Sequence, residues 1–192
     1  MPWEKQFDVD AALEQAMQVF WRQGYEATSI QDLVAAMGIN RGSLYPTFGN
    51  KRALFLLSLR HYEGLFLARF DAYAREHSPP QAIVALFNDI VSDALDNPND
   101  SGCLLVNTTL ELAPHDEDVA SVVAEGLRKT EAFFRDRIEA GRASGEIPAS
   151  VNPTQTARVL LALMNGLRVL ARGRPERPVL DAIVRHVAAS LA

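Results

Sequence analysis

Arg41, Gly42, Ser43, Tyr45, Thr47 and Lys51 put two cations, three hydroxyls and one position without a side chain into eleven residues free of carboxylate. Such residues suit a polyanion. Guanidinium and ammonium groups pair with phosphates, hydroxyls bond phosphate oxygens, and glycine lets a backbone approach base edges. The surrounding charge agrees: residues 33–62 hold Arg41, Lys51, Arg52 and Arg60 and no acid, whereas residues 1–32 hold two basic side chains against six acidic ones. The net charge of −5 taken alone argues against nucleic acid, but its distribution leaves one polyanion-facing window. Other chemistries lack their residues. None of the four histidines follows a carboxylate by three residues, no phosphate-cradling glycine loop ends in Gly-Lys-Ser/Thr, and one cysteine cannot form a zinc-binding pair. No catalytic residue, metal or cofactor is expected, and the protein is not read as an enzyme. Cys103 stays open between two roles. Behind Gly102 at a helix start, the helix dipole favours a reactive thiolate, while free cysteines are commonly small buried apolar residues.

Helices must position this window. Helical periodicity runs through the chain and strand alternation is nearly absent, so the expected fold is all-α. Leu13, Ala16, Met17 and Phe20 recur at helical spacing, and Gly24 is placed to end that helix. Thr28, with Gln31 three residues on, gives a capping-box pattern for a second helix with apolar side Ile30, Leu33, Val34 and Met37, ended by Gly38. Asn40 caps a short third helix, with Ile39 and Leu44 at hydrophobic-staple positions. Gly49 stops it, and Asn50 caps a fourth. Longer helical stretches are expected at 51–78, 81–95, 102–112, 117–143, 153–171 and 178–191, separated by proline- and glycine-containing breaks that include 97–99 and 173–175. About nine helices result, an N-terminal three-helix unit followed by a larger bundle. The string Arg172, Gly173, Arg174, Pro175 imitates a minor-groove hook but reads as a helix stop.

The 192 residues, 48% hydrophobic and 22% charged, exclude a disordered or fibrous protein. No apolar run is longer than that at 159–164, which falls far short of the ~20 residues of a membrane span. The first ten residues lack the apolar stretch of a secretion signal. With a lone cysteine, these features point to a cytoplasmic protein.

Two short helices within 28–48, joined by Gly38, Ile39 and Asn40, have helix-turn-helix spacing. Leu33, Met37, Leu44 and Phe48 point inward in this reading, and helix 3 presents Arg41, Gly42, Ser43, Tyr45 and Thr47 outward, with Arg41 placed to bond guanine or phosphate. Phe20, Gly24–Tyr25, Thr28–Ser29–Ile30, Gly38–Ile39, Gly42–Ser43–Leu44–Tyr45, Phe48, Asn50–Lys51 and Leu54–Phe55 resemble the DNA-binding unit of the TetR family of bacterial transcriptional regulators, over about 9–62. Beyond that span the likeness is one of length and helicity. The resemblance implies a helix-turn-helix DNA-binding domain at 6–62 and a helical effector-binding and dimerisation domain at 63–192. By position it implies that Thr28 and Ser29 bond phosphate, Gln31 reaches phosphate or base, and Arg41, Gly42, Ser43 and Thr47 read the major groove. It further implies that Tyr45 bonds phosphate through its hydroxyl and that Lys51 grips phosphate at the positive end of helix 4. Two departures stand out. Pro46 replaces a frequent aromatic and deletes an amide donor, predicting a very short helix 3 or one tightened at its end. No basic N-terminal arm is present to enter a minor groove.

For the larger domain, Val159, Leu160, Leu163, Met164, Leu167, Leu170 and Ala171 form one wide apolar face, and Ile183, Val184, Val187 and Leu191 another. These two helices from each subunit are expected to pair in a homodimer. Phe66, Phe70, Tyr73, Phe87, Phe133 and Phe134 supply aromatic surface, and Asn107, Thr108 and Asn165 polar groups, from which an effector site with Phe66, Phe70, Phe87, Cys103, Asn107, Phe133 and Asn165 is expected. The expected function is a ligand-responsive transcriptional regulator, a repressor, that binds a palindromic double-stranded DNA operator as a homodimer and is released by a small-molecule effector, with no membrane association. The alternatives are a redox- or electrophile-sensing regulator acting through Cys103, as the resemblance implies for some family members, and an all-helical carrier or enzyme that keeps its helix-turn-helix only as scaffold.

Overall fold

Small polar residues and glycines set the helix ends. Asp8 accepts the Asp10 and Ala11 amides at 2.9 and 3.1 Å and so starts the first helix. Gly24 ends it at φ 82° while donating to the Phe20 carbonyl at 2.8 Å. Glycine suits that site because a positive φ strains other residues. The computed structural model describes residues 7–96, 102–173 and 176–192. Among them are nine helices and no strand: α1 (Val9–Gln23), α2 (Ile30–Met37), α3 (Arg41–Phe48), α4 (Lys51–Glu76), α5 (Pro79–Asp96), α6 (Leu104–Glu111), α7 (Glu117–Ser144), α8 (Pro153–Gly173) and α9 (Arg177–Ala189). The helix breaks expected at 97–99 and 174–175 lie outside the described residues, as do Arg174 and Pro175 of the hook-like string. Helix α5 begins at Pro79 rather than after Pro80, because proline fits the first helical turn, whose amides have no partner within the helix.

The chain divides into two compact units. The first takes residues up to Leu65 together with Asn107–Val123. Its core gathers Ala16, Met17, Phe20, Leu33, Leu44, Leu54, Phe55 and Leu59, all essentially excluded from solvent. The Phe20 and Phe55 rings meet edge to face at 5.0 Å, and Tyr25 meets Phe55 at the same distance. Assigning residues 107–123 to this unit differs from a division after residue 62.

The second unit takes Phe66–Val106 and Ala124–Ala192. Its core includes Ile83, Leu86, Phe87, Phe134, Ile138, Leu160, Leu167, Leu180 and Val187. Within it α5 packs on α8 and α9, which also pack on each other. Gly141 lets the chain approach closely, since a Cβ there would lie 2.6 Å from Ile147 Cδ1.

The apolar face expected on α8 splits in two. Leu160, Met164, Leu167 and Ala171 are buried in the core of their own unit and Leu163 is partly buried against it, while Val159 and Leu170 are exposed. A helical stripe this wide spans more than one contact surface. The face expected on α9 is not free for a partner, since Val187 and Leu191 are buried in that core and Ile183 and Val184 are partly buried against it. On these two helices the exposed large apolar residues outside both expected faces are Val169 and Val179.

Candidate nucleic-acid interface

The start of α2 settles which residue is its cap. Ser29 occupies the cap position: its hydroxyl accepts the Asp32 amide at 3.1 Å, and the Asp32 carboxylate accepts the Ser29 amide at 2.8 Å and its hydroxyl at 2.6 Å. These bonds hold the Asp32 carboxyl below its ordinary range. The capping box is therefore Ser29–Asp32, not Thr28–Gln31. Thr28 is buried and donates its hydroxyl to the Gly24 carbonyl at 2.6 Å, closing the turn after α1. That removes Thr28 from the exposed face, where a phosphate contact had been expected. Ser29 and Gln31 are exposed.

Helix α3 turns two faces apart within eight residues. Leu44 and Phe48 are buried, whereas Arg41, Gly42, Tyr45 and Pro46 are exposed and Ser43 and Thr47 half-buried. Asn40 fixes its start by accepting the Ser43 amide on its side chain at 2.9 Å, and the Leu44 amide on its carbonyl at 3.1 Å. The helix runs through Pro46 as α-helix to Phe48, so it is short without being cut off at the proline. The sequence-selected Arg41, Gly42, Ser43, Tyr45 and Thr47 thus share one short element. Tyr45, half exposed at 50%, is its largest solvent-facing side chain.

Beside it, Asn50 caps α4 through the Ala53 amide at 2.9 Å. Lys51 lies over the Tyr25 ring with Nζ 4.3 Å from the centroid, and donates to the Glu26 carbonyl at 3.4 Å. Ring and carbonyl hold the ammonium group at the positive end of the helix. Arg52 behaves differently. Its Nε and Nη2 donate to the two Asp116 oxygens at 2.6 and 2.8 Å, and Nη2 also donates to Asp118 at 2.7 Å. The guanidinium holds the Asp116 carboxyl down to about 2, helped by the Val119 amide. Glu111 adds a second tie by accepting the Glu26 amide at 3.0 Å. The acid-free window is therefore less basic in space than along the chain: residues 107–123 bring carboxylates to it and contain no lysine or arginine.

The expected effector residues separate. Phe66, Phe70, Phe87 and Phe133 join one buried cluster in the second unit. Phe66 meets Phe70 at 4.7 Å, Phe70 stacks on Phe133 at 4.4 Å, and Phe134 links Phe133 to Phe87 at 5.7 and 6.0 Å. Asn107, half-buried on α6, belongs to the first unit instead. Cys103 is a buried free thiol just before α6. Asn165 Oδ1 on α8 is buried and accepts no hydrogen bond from a described residue. Three residues on, Arg168 is buried with its guanidinium 4.7 Å over the Phe66 ring. Sequence reading passed over Arg168, although a cation next to Leu167 on an apolar helix face is the signal that marks it. Among the described residues no group of histidine, cysteine and carboxylate could hold a metal ion.

The family of bacterial regulatory proteins named tetR matches residues 12–57, and the tetracyclin repressor-like C-terminal domain matches residues 79–187. The second match alone spans more than half of the chain. The chain belongs to the TetR family. It is 34% identical over 170 residues to the HTH-type transcriptional repressor ComR of Escherichia coli K12, covering 88% of this chain and 81% of that protein. Among solved structures, this TetR-family chain resembles a cysteine mutant of the TetR-family regulator CifR complexed with 26-bp double-strand operator DNA, with TM-score 0.85, 32% identity, and coverage of 98% and 99% of the two chains. It shares the fold of reduced E. coli NemR, with TM-score 0.87 at 24% identity and coverage of 95% and 96%.

Proposed function

We propose that this TetR-family protein is a ligand-responsive transcriptional repressor that binds a palindromic DNA operator as a homodimer and releases it when a small molecule binds the second unit. The observation that carries the reading is α3: eight residues with Leu44 and Phe48 buried and Arg41, Gly42 and Tyr45 turned to solvent. A short helix so anchored can enter a major groove, with Arg41, Gly42, Ser43 and Thr47 at base edges. Ser29, Gln31, Tyr45 and Lys51 are assigned to phosphates. They set the register of the helix on the duplex without reading sequence. The exposed Val159, Val169, Leu170 and Val179 on α8 and α9 supply the dimer surface. Two-fold pairing is required, because two reading helices must meet successive grooves ~34–36 Å apart. The aromatic cluster with Asn165 supplies an apolar effector site with a polar anchor. No helix among the described residues is long and apolar enough to cross a membrane. As a reader of operator DNA, the protein is assigned to the cytoplasm.

Duplex binding measured against salt tests the reading. Affinity should fall steeply as salt rises, and Lys51→Ala should flatten the log–log slope by about one per subunit. Binding indifferent to salt would return the helix-turn-helix to a scaffold role.

A further inference from the structure

The backbone of α3 has one gap. In an α-helix each carbonyl accepts the amide four residues on. Leu44 donates to Asn40 at 3.1 Å and Gly49 to Tyr45 at 3.0 Å, which places the ends of this ladder. The Gly42 carbonyl should receive the amide of residue 46, and residue 46 is proline, which has none. Gly42 and Pro46 lie one turn apart, and both are exposed. Glycine adds no side chain to this exposed stretch, and a Cβ at 42 would point toward the helix start, meeting the Asn40 side chain at 3.1 Å.

We infer that Pro46 makes the Gly42 carbonyl a base-reading acceptor, bonded in the major groove by the exocyclic amino group of adenine or cytosine. The inference rests on the reading above of α3 as the DNA-reading helix. In solution water satisfies this oxygen. In a groove that excludes water, an unmet acceptor is costly, so the base opposite it is selected for a donor. Adenine N6 and cytosine N4 offer that donor in the major groove, whereas guanine O6 and thymine O4 set an acceptor against it. One strand position in each half-site is then restricted to adenine or cytosine by a backbone atom.

Selection from a randomised duplex library with the wild-type protein and with Pro46→Ala tests this. Alanine restores the amide, closes the ladder and favours the helix, so the variant should fold; circular dichroism checks it, and Pro46→Ser supplies a second amide-bearing variant. Wild type should show one position per half-site where adenine or cytosine excludes guanine and thymine. Both variants should lose the preference there and keep it elsewhere. Removing that amino group from one half-site, by placing an unsubstituted purine or pyrimidinone base there, should weaken wild type about three- to ten-fold and leave Pro46→Ala unchanged. Three results overturn the inference: an unaltered profile in the variants, a loss spread over all positions, or a lost preference for thymine that deoxyuridine reproduces, which would mark a contact between the proline ring and the thymine methyl. If wild type selects no sequence at all, the DNA-reading assignment fails first, and that outcome is distinguishable from the other three.

Discussion

The two units carry their candidate sites in opposite ways. In the first, the candidate site is a surface held up by a small core: Leu44 and Phe48 are buried so that Arg41, Gly42 and Tyr45, on the same eight-residue helix, are not. In the second, the candidate site is the core itself, an aromatic cluster with Arg168 over its Phe66 ring, and on the same helix Asn165 with a buried Oδ1. Substitution should therefore separate stability from function in the first unit and fail to separate them at the aromatic residues of the second.

The sharpest break of that contrast pairs Phe134→Ala with Tyr45→Ala. Phe134 is fully buried, and its truncation should cost about 3–5 kcal/mol in urea unfolding. Tyr45→Ala should leave stability within about 0.5 kcal/mol of wild type while weakening duplex binding. Equal stability losses from the two would erase the distinction.

A smaller effect is expected at Gly141→Ala, where the new methyl meets the buried Ile147 side chain. Overpacking of this kind should cost about 1–3 kcal/mol in the same measurement, with duplex affinity per folded molecule unchanged.

Smaller still is the effect of the Arg52 clamp on stability. The Asp116 carboxyl is held at about 2 against an ordinary 3.8. Its stabilising contribution is thus present in full above about pH 4 and is lost as pH falls toward 2. Arg52→Ala should lower the urea midpoint slightly at pH 7 and reduce the loss between pH 4 and 2. An unchanged acid profile would mean that the pair does not tie residues 107–123 to the first unit.

Least visible in stability, Asn165→Leu should be neutral or mildly stabilising, because it removes a buried acceptor that has no donor among the described residues. Loss of effector-induced release of DNA in this variant would place the effector at Asn165, and a normal response would move the effector site elsewhere.

Legibility followed the same divide. The helices of the first unit were readable because their punctuation is local: Gly24, Gly38, Asn40, Gly49 and Asn50 act within four residues of themselves. Adjacent capping residues left the start of α2 uncertain by one position, and the Asp32 carboxylate, which accepts both the amide and the hydroxyl of Ser29, decided it. The Arg52–Asp116 clamp was out of reach, since its partners stand 64 residues apart and their charges are unremarkable along the chain. On α8, periodicity marked apolar residues without telling Leu160, which faces its own core, from Val159, which faces solvent. The aromatics were individually visible, but only packing shows that Phe66, Phe70 and Phe133 form a chain of rings and that Asn107 belongs to the other unit.

Hydroxyl-radical footprinting on the duplex selected by the wild-type protein tests the central assignment most directly. Two equally protected half-sites on one face of the DNA, one helical turn apart or a multiple of it, are predicted, and the double variant Arg41→Ala/Tyr45→Ala should lose both together. A single protected patch, or protection that survives the double variant, would contradict a reading by paired α3 helices.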